Sequence, residues 1–590
     1  MISLRSWHPV VLAICTLVLA SCSRSRVVVT EGQVRPSAAE TTSLTETPDK
    51  RDPRNASDFV DHAVRRPLGY LVNPPRVFHD LFGKKVEAYN PTAEDDVVNS
   101  SWFTHRNDRR RMTPEEVARG PGDGTGPDTS GIWTVIGAKV GGITPGFMIR
   151  DAAGVKYLVK FDPPSNPELM TAAEAITQRL FYAAGYHTPT THVALFDPSN
   201  VRAAEGLTFE NERGQHVPVT DADLQELLRS MPQRPDGRIR AVCSRILPGL
   251  DIGPFEYEGT RSDDPADTIP HQHRRELRGL YVMAAWLNHL DTKQRNSLDM
   301  LVEEDGRRFV KHHLIDFGSS LGSSSIYANG PGDGVEFDLD LGNIGARAIT
   351  AGVYTAPWER YEYEPKYPSI GFYAADLFDP GNWRNNYSNP AFKHATVRDG
   401  YWGAKLVASF DEEQIRAAVA TGQLSNPQAE EIYVQAMVAR RDLTVRYWFL
   451  RVTPLEELAI TVAAERPGLV AVSSDGPALA FRDLAVAEGL VPAPGRRYEM
   501  RFEFPAAGIR IKDVRGPSIT PDGRGKLELP IPRAAGPEFW EGLRSRPLEK
   551  RLAKLELTAI PGPGQPSPRS VRVYLLPNQD TGYRVVGRAY

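Results

Sequence analysis

Cysteine is scarce: there are three in 590 residues, and two of them, Cys15 and Cys22, fall within the first 22. A chain shortened past that point keeps only Cys243, forms no internal disulfide, and is held together by packing. Cys243 sits in the apolar stretch "AVCSRIL" and reads as a small core residue. A dominant charge is lacking too. The formal net charge is −4 with no block of like charge, which leaves no electrostatic case for a nucleic-acid partner. No G-x-S-x-G occurs and the one remaining thiol is not in a nucleophile setting, so an acyl-transfer hydrolase falls far behind other readings. No solenoid-type repeat is visible. What is present, 41% hydrophobic and 24% charged residues, is globular composition. The length exceeds what one core organises, so about two to four domains are expected.

The first 22 residues read as a leader. Arg5 precedes "VVLAICTLVLA", an apolar run too short to span a bilayer as a mature helix. The run ends in "LASC", which resembles a bacterial lipobox. That resemblance implies cleavage before Cys22, a covalent lipid on its sulfur, and the lipid bilayer as a partner. Ser23, in place of Asp, implies sorting to the outer membrane, on a periplasmic or surface face of the cell envelope. A plain signal peptide with a chance cysteine is the alternative.

Residues 23–58 are rich in Ser, Thr, Pro and charge and read as a disordered tether. Residues 59–130 carry aromatics suited to an extension packed on a larger domain. Within them "MTPEEVARG" spells a short helix, with Thr113 as N-cap and Pro114 at its first position. From 131, alternation predicts antiparallel strands through "IWTVIGAKVGGITPGFMIRD" and "VKYLVKFD". A helix follows over "SNPELMTAAEAITQRLFYAAG", with Asn166 as cap and Gly185 as stop. A second helix is expected at about 273–289, and further helices after a Gly- and aromatic-rich segment that runs to about 400. Beyond 465, strands between Pro/Gly turns suggest a separate β-sandwich-like domain. If the chain is a non-catalytic envelope module, this domain would bind a protein or glycan partner.

The chemistry-bearing residues come in a fixed order. A Gly-rich turn, "GAKVGGITPG", holds Gly137, Gly141 and Gly142; Lys160 closes "YLVK"; Glu174 lies on the next helix; Asp291, Lys293 and Asn296 lie in "HLDTKQRN"; Asp316 opens "DFG". This set resembles the protein-kinase-like fold: "YLVK" is similar to the strand-three V-A-I-K, "HLDTKQRN" to the H-R-D-x-K-x-x-N loop, and "IDFG" to the metal-binding motif. The helix with its Glu is closer to the atypical branch, HipA-type and phosphoinositide-kinase-like proteins. The resemblance covers about 131–460. It implies an α+β chain with a two-lobed kinase-like body, N-lobe 131–255 and C-lobe 256–464, between the N-terminal extension and the β-rich domain 465–590.

The resemblance also implies roles. Glycine amides would approach the phosphates of ATP, and Lys160, held by Glu174, would contact them. Asn296 and Asp316 would supply hard oxygens to Mg²⁺. Asp291 would accept the proton of an attacking hydroxyl on an unknown phosphoacceptor, and Lys293 would steady the transferring group. Departures are present. Leu290 replaces the Arg of H-R-D, which removes the usual handle for activation-loop phosphorylation. "APWE" at 356–359 lies too far past "DFG" to count as A-P-E. The Gly-rich turn is not G-x-G-x-x-G, and Asn296 stands 20 positions before Asp316. Taken singly, each residue also has an ordinary reading: a solvated strand Lys, a surface helix Glu, turn-capping Asp and Asn, a strand-ending turn. "HQH" at 271–273 has no further ligands in register for zinc. The competing function is a non-catalytic envelope module on the same fold.

Overall fold

The computed structural model describes residues 43–51, 85–139, 144–210, 215–335, 355, 357–461, 477–530, 537–578 and 582–590. The leader with Cys22, the Gly-rich residues Gly141 and Gly142, residues 336–354 and Ala356 lie outside the described residues.

Helix α1 (Pro114–Arg119) starts as its sequence demands. Thr113 Oγ1 accepts from Glu116 N while the Glu116 carboxylate accepts from Thr113 N, a reciprocal cap with proline in the first turn. Alternation then gives β1 (Trp133–Ala138), β2 (Gly146–Arg150) and β3 (Lys156–Lys160). Trp133, Val135, Phe147, Ile149, Tyr157 and Val159 form the inward face and are buried. With β4 (Thr191–Phe196), β5 (Val201–Ala203) and β6 (Ile239–Arg245) they make a six-stranded sheet in the order β4-β6-β3-β2-β1-β5. All its pairs are antiparallel except β1 with β5. Cys243 is buried in β6. Gly137, expected in a phosphate-facing turn, lies inside β1 at a register shift. A Cβ there would stand 2.7 Å from the terminal methyl of Met148, so its bareness makes room for a neighbouring side chain.

Helix α2 (Leu169–Ala184) begins later than expected. Asn166 does not cap it; its amide donates to Pro368 O, and Glu168, at φ 70, precedes the helix without a side-chain cap bond. The free N–H of the first turn is met from upstream. Asp162 takes Thr171 N at 2.9 Å and Thr171 Oγ1 at 2.8 Å. Sequence reading looks for the cap next to the helix, and here it lies nine residues before the group it satisfies.

Helix α3 (Arg275–Leu287) leads into the loop 288–296 and then a hairpin, β7 (Ser297–Glu304) and β8 (Arg307–Leu314). Its register runs unbroken from Ser297↔Leu314 to Glu304↔Arg307. Asp305 (φ 52) and Gly306 (φ 70) close it, both left-handed, as a two-residue hairpin turn requires. The two-residue strand Leu250–Asp251 pairs with β7 on its other side. Residues 43–51, which composition assigned to a disordered tether, dock on this unit. Leu44 N donates to Arg308 O and Arg51 N to Ile252 O, while Leu44 shares a small core with Ile252, Leu301 and Val310. Unpaired backbone groups recruit this segment, and composition does not record them.

Three longer helices follow among the described residues: α4 (Val397–Ala408), α5 (Glu412–Ala420) and α6 (Pro427–Phe449), capped by Thr396, Asp411 and Asn426. Two antiparallel sheets end the chain. One joins β9 (Leu455–Thr461), β10 (Ala478–Asp483) and β13 (Arg524–Glu528); the other has the order β12-β11-β14-β15-β16, from Ile509–Arg515, Tyr498–Phe504, Ala553–Ala559, Val571–Asn578 and Gly582–Ala589. β9 starts at Leu455, ahead of the expected boundary at 465. One core runs from Trp102, Phe103 and Val117 of the extension through α2, α3, α4 and α6 into Leu455, Phe481, Met500 and Phe502 of both sheets. Arg588 donates to Glu94 O and Leu455 O and closes the last strand onto the body. Among the described residues, no helix is long and apolar enough to cross a membrane.

Candidate functional site

Lys160 ends β3 and is buried, 3% exposed. A lone ammonium there would be expensive, so its surroundings have to supply charge. They do. Nζ donates to Glu174 Oε1 and Oε2 at 2.9 and 2.8 Å and to Asp316 Oδ1 at 2.9 Å. Glu174 comes from the second turn of α2 and is buried, not a surface helix residue. Asp316 follows β8, with its side chain 34% exposed. Burial alone would raise the Asp316 carboxyl, but Lys160, helped by Lys139 and Lys293, holds it down at about 2. Burial alone would lower the Lys160 ammonium, and the two carboxylates drive it above its ordinary value instead. Burial, with Asp316 nearby, pushes Glu174 up against the pull of Lys160. Two carboxylates sharing one ammonium explain the asymmetry.

The second half of the site is a loop fixed by the end of α3. Asn288 turns the chain at φ 49, and its N–H returns to Ala284 O and Ala285 O. The last carbonyls of α3 are filled from elsewhere: Arg440 of α6 donates to Ala285 O and Trp286 O, and Tyr373 OH donates to Trp286 O. Arg440 thus places a cation at the negative end of a helix, and burial brings its pKa down to about 10. Beyond this stop, Lys293 Nζ stands 2.8 Å from Asp291 Oδ1, an ion-pair approach more than a well-directed hydrogen bond. Asn296 Nδ2 donates to Asp291 O at 2.8 Å, and Asn385 and Asn389 donate to Thr292 Oγ1 and Thr292 O. His289, whose pKa burial lowers, packs against both Phe181 and Phe317.

The hairpin joins the halves. Because β7 and β8 pair throughout, the chain leaves at Asn296 and returns beside it, where Ile315 N donates to Asn296 O. The separation of 20 positions is therefore the length of a hairpin. Lys160, Glu174, Asp316, Asn296, Asp291 and Lys293 come together; Gly137 does not join them. Sequence reading missed Lys139, whose Nζ donates to Thr144 O. Its charge acts on Asp316 and Glu174, and burial together with Lys160 lowers its own pKa. A lysine inside a Gly-rich turn was the available signal. It also missed Asn385 and Asn389 in "RNNYSNP". Ile370, Phe372, Tyr373 and Trp383 of the same aromatic-rich region are core.

No group of three or more His, Cys, Asp or Glu forms a metal cluster among the described residues. His271 is engaged by Asp267 and Glu256 O, a structural role. Asp316 and Asn296 offer one carboxylate and one amide. That donor set fits Mg²⁺, which is bound through few protein oxygens with phosphate and water completing the shell, and does not fit zinc.

A cavity of about 610 Å³ opens elsewhere, among Glu94, Arg109, Lys405, Glu456, Arg482 and Arg588. None of the site residues lines it. Its inner charges are already paired, Asp96 with Arg109 and Glu456 with Lys405 and Arg588.

No protein-family model matches the chain. No curated protein matches it either. Among solved structures it is similar to a Helicobacter pylori proinflammatory kinase, CtkA, at 11% identity and a TM-score of 0.29, over 55% of this chain and 98% of that one. It is similar to the Golgi casein kinase at 9% identity and a TM-score of 0.26, over 55% and 71% of the two chains. A third is the Golgi casein kinase with Mn/ADP bound, at 10% identity and a TM-score of 0.23, over 55% and 72%. At such TM-scores these likenesses carry no weight beside the geometry.

Proposed function

We propose that residues 131–464 act as a two-lobed kinase-like body that binds Mg-ATP and transfers its terminal phosphoryl group to a hydroxyl of protein, lipid or sugar. The observation that carries this is Lys160 held between Glu174 and Asp316, with Asn296 brought to the same place by the hairpin. In this reading Lys160, and Lys139 beside the Gly-rich turn, take phosphate oxygens. Asp316 and Asn296 hold Mg²⁺, which supplies charge neutralisation at the phosphates. Asp291, on its amide-braced loop, accepts the proton of the acceptor hydroxyl, and Lys293 shields the charge that develops. Phosphoryl transfer asks chiefly for position and charge, and these residues provide both.

A second reading has an observation of its own. Asp316 is already paired with Lys160, a cluster satisfied without any ligand, as a non-catalytic scaffold would have it. One measurement separates the two. Thermal unfolding of the chain from residue 23 onward is followed with Mg-ATP, with ATP and chelator, and for Asp316→Ala. A ligand present at about 100 times its Kd adds about 2.7 kcal/mol to native stability. A stabilisation that needs Mg²⁺ and vanishes in the variant is expected. Equal behaviour of wild type and variant at millimolar ATP would leave the scaffold.

The "LASC" lipobox places the body, in this proposal, on the outer membrane through a lipid on Cys22. Cys22→Ser is expected to move the chain from the membrane pellet to the soluble fraction; an unchanged pellet would remove the anchor.

A further inference from the structure

Helix α2 meets the Asp316 turn along one face. Glu174, Thr177 and Phe181 lie at i, i+3 and i+7, positions that stack above one another on a helix. Glu174 reaches Asp316 through Lys160. The Phe181 ring stands 5.2 Å from that of Phe317. Between these two contacts, Thr177 Oγ1 lies 2.7 Å from Ser320 Oγ, and both residues are completely buried. Ser320 Oγ also lies 2.7 Å from Phe317 O and 3.4 Å from Ala173 O.

One serine hydroxyl has one hydrogen to give. The shorter carbonyl contact takes it, so Ser320 donates to Phe317 O and Thr177 donates to Ser320. A helical threonine ordinarily spends its hydrogen on a carbonyl of the preceding turn. Here the hydrogen leaves the helix, and a relay runs from the Thr177 hydroxyl through the Ser320 hydroxyl to the Phe317 carbonyl.

The carbonyl at the end of this relay adjoins a strained residue. Asp316 has φ 61, left-handed for a non-glycine. Such a conformation is strained and persists only where the surroundings over-determine it. Lys160 fixes the carboxylate but not the backbone. The peptide one step further on, between Phe317 and Gly318, is fixed through Phe317 O, and its clamp is Ser320, which is itself held from α2.

We infer that Thr177 and Ser320 are positioning residues that hold Asp316 in the conformation required to bind Mg²⁺ with a nucleotide; this rests on the nucleotide reading above. Neither touches the ligand. The helix that carries Glu174 thereby sets the geometry of both ends of the Lys160 cluster.

The test reads the Mg²⁺ concentration that half-saturates the ATP-dependent stabilisation, in the chain from residue 23 onward. Ser320→Ala removes the clamp and lets Thr177 bond back to Ala173 O, which preserves the helix. Thr177→Val removes the donor at nearly constant shape, and Thr177→Ser keeps it. The half-saturating Mg²⁺ concentration is expected to rise about tenfold in Ser320→Ala and Thr177→Val, the worth of one buried hydrogen bond, and to stay within about twofold of wild type in Thr177→Ser. A merely structural pair would lower the melting temperature without moving this midpoint. Wild-type midpoints in either hydroxyl-deleting variant, or an equal rise in Thr177→Ser, would overturn the positioning role. A wild-type chain with no Mg²⁺-dependent stabilisation would fail differently, by overturning the nucleotide reading itself and this inference with it.

Discussion

The two halves of the site are built on opposite terms. Lys160, Glu174 and Asp316 come from three separate elements and are joined by charge, with Lys160 and Glu174 buried. Asp291, Lys293 and Asn296 come from a single short loop and are held mainly by neutral amides that bond its backbone. In the first half the side chains are the structure. In the second the backbone is fixed first and the side chains ride on it. It follows that the first half fails as a unit, and the second tolerates exchange of a functional group without loss of shape. In the proposed reading, binding chemistry falls to the first half and proton chemistry to the second.

The largest effect expected from breaking this contrast is that of Lys160→Met. The substitution keeps the aliphatic stem and removes the one cation shared by two carboxylates. Breaking a buried ion pair from one side costs about 3–5 kcal/mol, and the lower end applies because Asp316 opens to solvent. The melting temperature should fall clearly, and Mg-ATP should no longer raise it. Unchanged stability would show that the cluster does not hold α2 and β8 together.

How much of this was legible in the sequence depends on the distance over which each feature is decided. Lys160, Glu174, Asp291, Asn296 and Asp316 are named by local motifs, and the strands and helices that carry them follow from short-range alternation and periodicity. The hairpin was harder. Twenty positions between Asn296 and Asp316 looked like a departure until β7 and β8 were seen to pair over their whole length around Asp305–Gly306. "EEDGRR" held that turn signal all along. Gly137 misled because a glycine in a strand and one in a phosphate loop look alike in one dimension; Met148, which fills its space, comes from the neighbouring strand. Asn166 misled because the bond that satisfies Thr171 N comes from Asp162. Leu44 was hidden in a polar stretch because its partners, Ile252, Leu301 and Val310, lie more than two hundred positions away. The relay from Thr177 to Ser320 had no sequence signal, since serine and threonine are ordinary in a helix and in a turn.

The smallest effect on stability is expected from Asp291→Asn, and it sharpens the contrast best. The amide is isosteric, and the loop keeps its bonds, because Asn296 reaches the backbone carbonyl of residue 291 and Asn385 and Asn389 reach Thr292. Only the ion-pair approach of Lys293 is lost, on side chains 31% and 18% exposed, an interaction worth about 0–1 kcal/mol at such a surface. The melting temperature should stay close to wild type and the Mg-ATP stabilisation should survive intact. Turnover is where the loss should appear: removing a general base lowers rate by roughly 10²–10⁴-fold. With no acceptor in hand, slow hydrolysis of ATP by water serves as the readout, since water too must give up a proton. If Asp291→Asn unfolds the chain or abolishes ATP binding, the two halves are not separable and the loop belongs to the charged cluster. If it hydrolyses ATP as fast as wild type, Asp291 is not the proton acceptor, and the division of the site into a binding half and a chemical half is wrong.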